Sequence, residues 1–280
     1  ITYQVTDLAQ ANDTESFTIT VTGENDAPVL AQQDDRTTTE DVTITDTFTA
    51  TDIDSNEEAA LTFALVNPPV GVTLNGANWT FNPSDATYQA LAAGTSVDLT
   101  VNYQVTDPQN TIISKSFTIT VNGVNDTPVL GQEDAQTTTE ETSINGTFSA
   151  TDIDGNEGAS LNFALVNPPT GVTLAGANWT FDPSNTTYQT LVDGGSTEIT
   201  VNYRVTDAQG TAANSSFTIT VTGENDAPVL AQEDNQTTTE DASINGIFTA
   251  TDVDAGEQAS LVFELVNPPE GVTLNGANWA

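Results

Sequence analysis

The decapeptide VTGENDAPVL fills residues 21–30 and returns unchanged at residues 221–230, while a near copy, VNGVNDTPVL, fills residues 121–130. The same step of 100 residues separates Asp26, Asp126 and Asp226, Tyr3, Tyr103 and Tyr203, and Trp79, Trp179 and Trp279. A fixed period constrains a fold more than any local pattern, because each copy must be the same folding unit. This period is too long for one coil of a solenoid and suits an independent domain. The chain therefore reads as beads on a string. If a unit starts after each Asn-Asp pair, Ala27–Asp126 and Thr127–Asp226 are complete repeats. Residues 1–26 then read as the C-terminal remnant of a truncated repeat, and residues 227–280 as the N-terminal part of another. With no methionine anywhere, the chain reads as a piece of a longer array.

Within Ala27–Asp126, short runs alternate apolar and polar residues and are rich in Thr, Val and aromatic residues. They are TITDTFTA (43–50), LTFALV (61–66), GVTL (71–74), NWTF (78–81), VDLTVNYQV (97–105) and KSFTITV (115–121). A period of two bounded by Gly, Pro, Asn and Asp predicts strands. An edge strand within 29–39 brings the total to seven. Asn75-Gly76 is a hairpin signal, and Pro68-Pro69 must lie in a turn because neither proline can donate to a ladder. SDATYQALAAG (84–94) suits a short helical turn. The expected fold is all-β, a tandem array of immunoglobulin- or cadherin-like, seven-stranded Greek-key β-sandwiches, with Phe63, Trp79, Tyr103 and Phe117 in the core.

Alternating strand direction then sorts the acids by end. With the chain entering at the top, the first strand descends to Glu40-Asp41 and the second rises to Asp52 and Asp54. The sixth rises to Asp107, and the seventh descends to Asn125-Asp126. Asn25-Asp26 therefore meets Asp52, Asp54 and Asp107 at the top, while Glu40 lies beside the outgoing linker. One step on, Asn125, Asp126, Asp152, Asp154 and Asp207 share a junction. Glu140, Asn225, Asp226, Asp252 and Asp254 form the next.

Charge makes these gatherings chemically demanding. Forty acids oppose three bases, Arg36, Lys115 and Arg204, for a net charge of −37. Two carboxylates ~4 Å apart repel by ~4 kcal/mol even at an effective dielectric near 20. A divalent cation relieves this. Ca²⁺ takes carboxylate, amide and carbonyl oxygens, the donor types collected at each junction. Histidine and cysteine are absent, which disfavours transition metals and excludes disulfides. Alone, Asn-Asp-Ala-Pro is ordinary turn chemistry and Asp-x-Asp is common in loops; together the two motifs favour Ca²⁺. Other acids, including Asp34, Glu133, Asp134, Glu157 and Asp193, read as a solvated face.

YQALAAGTSVDLTVNYQVTDPQNTIISKSFTITVNGVNDTPVL (88–130) resembles the bacterial VCBS-type repeat, the cadherin-like module of large RTX adhesins, and the resemblance covers each repeat. TATDIDSNEEAALTFAL (49–65) is similar to the cadherin segment that carries Asp-x-Asp and a following Asn. That likeness implies Asp52, Asp54 and Asn56 as ligands, with Asn25 and Asp26 as linker ligands. Asp107 would be the later Asp of the same site, and Glu40 the early Glu of the domain above. The chain departs from cadherins where their linker opens with Asp, since Gly23, Gly123 and Gly223 stand there. It also lacks the Leu-Asp-Arg-Glu segment, so fewer ions per junction are expected.

These features imply an extender segment of a secreted or surface-anchored bacterial adhesin, stiffened by Ca²⁺ between neighbouring repeats. The alternative is a carbohydrate- or cell-surface-binding module, or a homophilic one, although no unpaired aromatic cluster offers a sugar platform. An enzyme is disfavoured without His, Cys or a Gly-rich phosphate loop. The scarcity of Lys and Arg argues against nucleic acid as a partner. No apolar run is long enough to span a membrane.

Overall fold

The computed structural model describes every residue except Ser55, Asn56, Asn156, Glu157 and Ala159. It is all-β apart from short helical turns and divides into two compact units, Ile1–Val124 and Asn125–Ala280.

In the first unit, β1 (Thr2–Thr6) and β2 (Asn12–Ser16) form a hairpin. The sandwich follows. Its strands are β3 (Val29–Leu30), β4 (Arg36–Thr39), β5 (Ile44–Thr47), β6 (Ala50–Thr51), β7 (Thr62–Val66), β8 (Val72–Asn75), β9 (Asn78–Phe81), β10 (Ser96–Thr106) and β11 (Ile112–Asn122). One sheet has the order β4-β11-β10-β7; the others are β5-β9-β8 and β3-β6. The helical turn α1 (Ala86–Gln89) lies between β9 and β10, where Asp85 accepts the Thr87 N–H as its N-cap.

Alternation carries through to packing. Val101, Tyr103 and Val105 of β10 and Phe117, Ile119 and Val121 of β11 point inward and are buried, while their neighbours in sequence face outward. The Phe48 ring stacks on Tyr103 with centroids 4.2 Å apart, and Trp79 lies 5.0 Å from Phe117. Such aromatic pairs add about 1 kcal/mol each to what burial provides.

Two predicted strands are each broken in two. The edge strand expected within 29–39 is β3, paired with β6, and β4, paired with β11 in the other sheet. Between them the Tyr103 hydroxyl donates to the Ala31 carbonyl and accepts the Gln33 N–H, both at 2.9 Å. A core side chain thus satisfies backbone that a continuous ladder would otherwise hold. The strand expected over 43–50 becomes β5 and β6, with buried Phe48 turned into the core between them. One pairing is parallel, β4 with β11, because both strands run toward the same end.

In the second unit the same order recurs. It runs β12 (Val129–Leu130), β13 (Gln136–Thr139), β14 (Ile144–Thr147), β15 (Ala150–Thr151), β16 (Asn162–Val166), β17 (Val172–Ala175), β18 (Asn178–Phe181), α2 (Thr186–Gln189), β19 (Ser196–Thr206) and β20 (Ala212–Thr222). Phe148 stacks on Tyr203 at 4.0 Å, and the Tyr203 hydroxyl donates to the Gly131 carbonyl at 3.1 Å. The unit continues through β21 (Val229–Leu230), β22 (Gly246–Ile247), β23 (Ala250–Thr251), β24 (Leu274–Asn275) and β25 (Asn278–Trp279). The copies differ at one edge. Asp46 on β5 pairs with Arg36, whereas the matching positions of the second repeat are Gly146 and Gln136.

Candidate metal centre

Strand β10 ends at Thr106 and delivers Asp107 to the turn into β11, where its Oδ1 accepts the Thr111 N–H at 2.7 Å. Its Oδ2 accepts the Asn25 carboxamide at 3.0 Å. Just beyond β6, the Asp54 N–H donates to Asp52 Oδ1 at 3.0 Å, an Asx turn that folds the loop back on itself. Asp54 Oδ2 in turn accepts the Asp26 N–H at 2.8 Å. Linker residues Asn25 and Asp26 are therefore fastened to Asp54 and Asp107, as strand direction predicts.

The second unit repeats this arrangement. Asn125 donates to Asp207 Oδ2 at 2.9 Å, Asp126 N–H to Asp154 Oδ2 at 2.9 Å, and Asp154 N–H to Asp152 Oδ1 at 3.1 Å. At Asp107 and Asp207 burial opposes ionisation. Hydrogen bonds from Asn25 or Asn125 and from the Thr111 or Thr211 N–H outweigh it, and both carboxyls are held below the ordinary aspartate range.

At the other end, β4 and β13 deliver Glu40 and Glu140, each 1 % exposed. Glu40 Oε1 accepts the Val124 N–H at 2.6 Å and Oε2 the Leu91 N–H at 3.3 Å. Glu140 Oε1 accepts the Glu224 N–H at 2.7 Å. Here the acids converge. Glu140, Asp226 and Asp254 each place a carboxylate oxygen within 4.8 Å of the others. Asp254, 2 % exposed, accepts the Asp226 N–H on Oδ2 at 3.0 Å. Glu140 Oε2, Asp226 Oδ2 and Asp254 Oδ1 are buried without a hydrogen-bond partner. Burial, reinforced by the charges of Asp226 and Asp254, pushes the Glu140 carboxyl above its ordinary range against the Glu224 N–H.

Asp254 also belongs to a second group with Asp252 and Glu257, whose oxygens again lie within 4.8 Å of one another. In the first unit Asp52, Glu57 and Asp107 form a comparable group, with Asp52 Oδ2 and Glu57 Oε2 buried and unpartnered. Glu57 and Glu257 escaped the sequence reading. The available signal was an acid at a fixed place in all three copies, in DIDSNE, DIDGNE and DVDAGE. The expected ligand Asn56, its counterpart Asn156, and Glu157 lie outside the described residues. Asn225 donates to the Asp226 carbonyl at 2.9 Å. Of the acids read as solvated, Asp34, Asp134 and Asp193 are exposed and Glu133 is half-buried.

The departure at Gly123 and Gly223 has a steric cause. A Cβ on Gly123 would lie 2.2 Å from the Leu91 carbonyl oxygen, and one on Gly223 would lie 2.3 Å from that of Val192. The linker leaves the sandwich so close to this backbone that no side chain fits.

The donors of Glu140, Asp226 and Asp254 are all hard oxygens, and three of them are buried acceptors without hydrogen bonds. Unpaired buried anionic oxygens carry a full desolvation penalty, which a coordinated cation removes. The set fits Ca²⁺, which accepts mixed carboxylate and carbonyl shells.

The bacterial Ig domain profile matches residues 25–121 and 125–222. Among solved structures, the chain is similar to mouse cadherin-23 EC22-24, at 14% identity and a TM-score of 0.47, covering 91% of this chain and 88% of that one. It is similar to the protocadherin gamma B4 extracellular domain at 17% identity and a TM-score of 0.47, covering 100% and 49% respectively. For protocadherin gamma B3 EC1-4 the identity is 17% and the TM-score 0.44, with 90% and 65% covered. The chain thus spans half to two thirds of the length of these protocadherins. No curated protein matches it. With two successive matches along the sequence, the chain belongs to the bacterial Ig domain family.

Proposed function

We propose that the chain is a segment of an extracellular bacterial adhesin stalk of the VCBS/RTX type, in which Ca²⁺ locks successive repeats end to end. Its role is mechanical rather than catalytic. The observation that carries this reading is the convergence of Glu140, Asp226 and Asp254, which brings buried, unpartnered carboxylate oxygens from a sandwich, a linker and the following repeat to one place. Asn225, Asp252 and Glu257 would complete the oxygen set, and Asn25, Asp26, Asp52, Asp54, Asp107 and Glu57 would serve the same purpose in the first unit. Each group adds negative charge to a chain that already carries −37. Cation binding therefore relieves local repulsion and also lowers the self-repulsion of the whole chain.

The ion would connect rigid bodies across a short linker, so its main effect is on reach and stiffness. Small-angle scattering and thermal unfolding of the 280-residue chain, with Ca²⁺ and then with chelator, test the reading. Chelation should change the radius of gyration and lower the melting temperature. Ca²⁺ present at 100 times its dissociation constant should stabilise the folded state by ~2.7 kcal/mol per site. Identical scattering and melting in both conditions would overturn the reading that a cation joins these acids.

A further inference from the structure

We propose that Asn75 and Asn275 are sites of spontaneous modification, converting to aspartyl and isoaspartyl residues, while the fold keeps the other Asn-Gly bonds inert. The sequence contains five such bonds, at Asn75, Asn122, Asn145, Asn245 and Asn275. Glycine has no Cβ to hinder approach to its nitrogen, so by sequence alone all five are open to the same chemistry.

In that chemistry the glycine nitrogen attacks the asparagine Cγ. A new C–N bond closes a five-membered imide, and the side-chain nitrogen leaves as ammonia with the displaced proton. Water then opens either imide C–N bond, giving Asp or isoAsp. Ring closure requires the Asn-Gly backbone to rotate, and tertiary structure decides where it can.

Asn75 and Gly76 are both exposed at the tip of the β8–β9 hairpin, where Asn75 pairs with Asn78 and Gly76-Ala77 are the two central residues. Gly76 has φ +63, and nothing lies within 4 Å of where its Cβ would be. Asn275-Gly276 has the same exposed setting, with φ +59 and open space. The remaining bonds are held. Gly123 N–H donates to the Thr95 carbonyl at 2.9 Å, and a Cβ on Gly123 would lie 2.2 Å from the Leu91 carbonyl oxygen. Asn145 and Gly146 lie inside β14, paired with Thr180 and Trp179, and a Cβ on Gly146 would be 2.7 Å from the indole. Gly246 is paired with Trp279 and similarly crowded. The second repeat supplies its own control, because its hairpin tip is Ala175-Gly176, with the same φ of +63 and no carboxamide.

Each conversion adds one negative charge at a hairpin tip, and the isoaspartyl product lengthens the main chain there by a methylene. Repeats with Asn at the tip thus record the age of the molecule, and the Ala175 repeat does not. The test incubates the full chain with Ca²⁺ at mildly alkaline pH. Cleavage before Asp residues and mass spectrometry then follow the amide-to-acid exchange, with isoaspartyl methyltransferase labelling to mark the rearranged product. Asn75 and Asn275 should convert faster than Asn122, Asn145 and Asn245 by about tenfold or more, since the glycine after each of those three is hydrogen-bonded or strand-paired and crowded, and can rotate only in locally opened states. In urea the five rates should converge. Conversion of Asn122 or Asn145 in the folded chain at the rate of Asn75 overturns the proposal. So does an unchanged Asn75 under conditions where the urea-unfolded chain reacts.

Discussion

Asp254 receives the backbone N–H of Asp226 on one carboxylate oxygen, at 3.0 Å, and leaves the other buried with no hydrogen bond. One side chain thus seats the linker and still offers an oxygen to a cation. Asp54 and Asp154 receive Asp26 and Asp126 in the same way. Mutation can separate the two tasks. Asp254→Asn keeps an acceptor for the Asp226 N–H while removing the charge, so it should weaken Ca²⁺ binding by tenfold or more with little loss of metal-free stability. Calorimetric titration against the unchanged chain measures this. Equal affinities would remove Asp254 from the ligand set.

Glu140 behaves differently because its carboxyl is buried beside two other acids. Without metal its raised pKa means that the folded state holds a proton the unfolded chain releases. Stability from this group is therefore intact below the ordinary glutamate range and declines as pH rises toward the elevated value. Glu140→Gln should flatten that decline in chelator and lower the melting temperature relative to wild type once Ca²⁺ is added. Melting curves in both conditions between about pH 4 and 8 cover the window. A variant with unaltered pH dependence in chelator would contradict the assignment.

Asp107 and Asp207 have the opposite sign. Their carboxyls are held below the usual range, so their contribution is present above that range and is lost as pH falls through the lowered values. Asp207→Asn should reduce the acid sensitivity of the second unit while making it less stable at neutral pH. Acid titration followed by near-UV circular dichroism reports both effects, and an unchanged acid midpoint would count against the argument.

Gly223 should not tolerate a side chain. Alanine there would push a methyl group onto the Val192 and Leu191 carbonyl oxygens, and overpacking of this kind costs about 1–3 kcal/mol. Gly223→Ala should show that loss in urea unfolding, whereas Gly23→Ala, at the corresponding place 200 residues earlier, meets no atoms, has no left-handed φ and should lose less. Equal losses would mean that crowding by the Val192 and Leu191 carbonyls does not set the requirement for glycine at position 223.

Tyr203→Phe should cost about 1 kcal/mol, the worth of its hydrogen bond to the Gly131 carbonyl. The core packing around Phe148 should survive, because the ring is retained. Urea unfolding gives the number, and a loss near zero would show that the hydroxyl does not anchor the segment between β12 and β13.

The sequence by itself determined the period, the all-β class, the strands that become β10 and β11, and the meeting of Asn25 and Asp26 with Asp107 and Asp54. These follow from local rules. Alternation assigns Tyr103 and Phe117 to the core, and strand direction brings Asn25 to Asp107. Tertiary structure alone decided three things. It broke the strands around Ala31 and Phe48, because a core tyrosine and phenylalanine reach across sheets in ways no local pattern encodes. It brought Glu57 and Glu257 into the acidic groups, because their position depends on how the loop folds over Asp52 or Asp252. And it required glycine at Gly123 and Gly223, because the obstruction comes from carbonyls about 30 residues away in sequence, at Leu91 and Val192. Contacts between distant segments are fixed by packing, and a period-two pattern records only which face a residue takes.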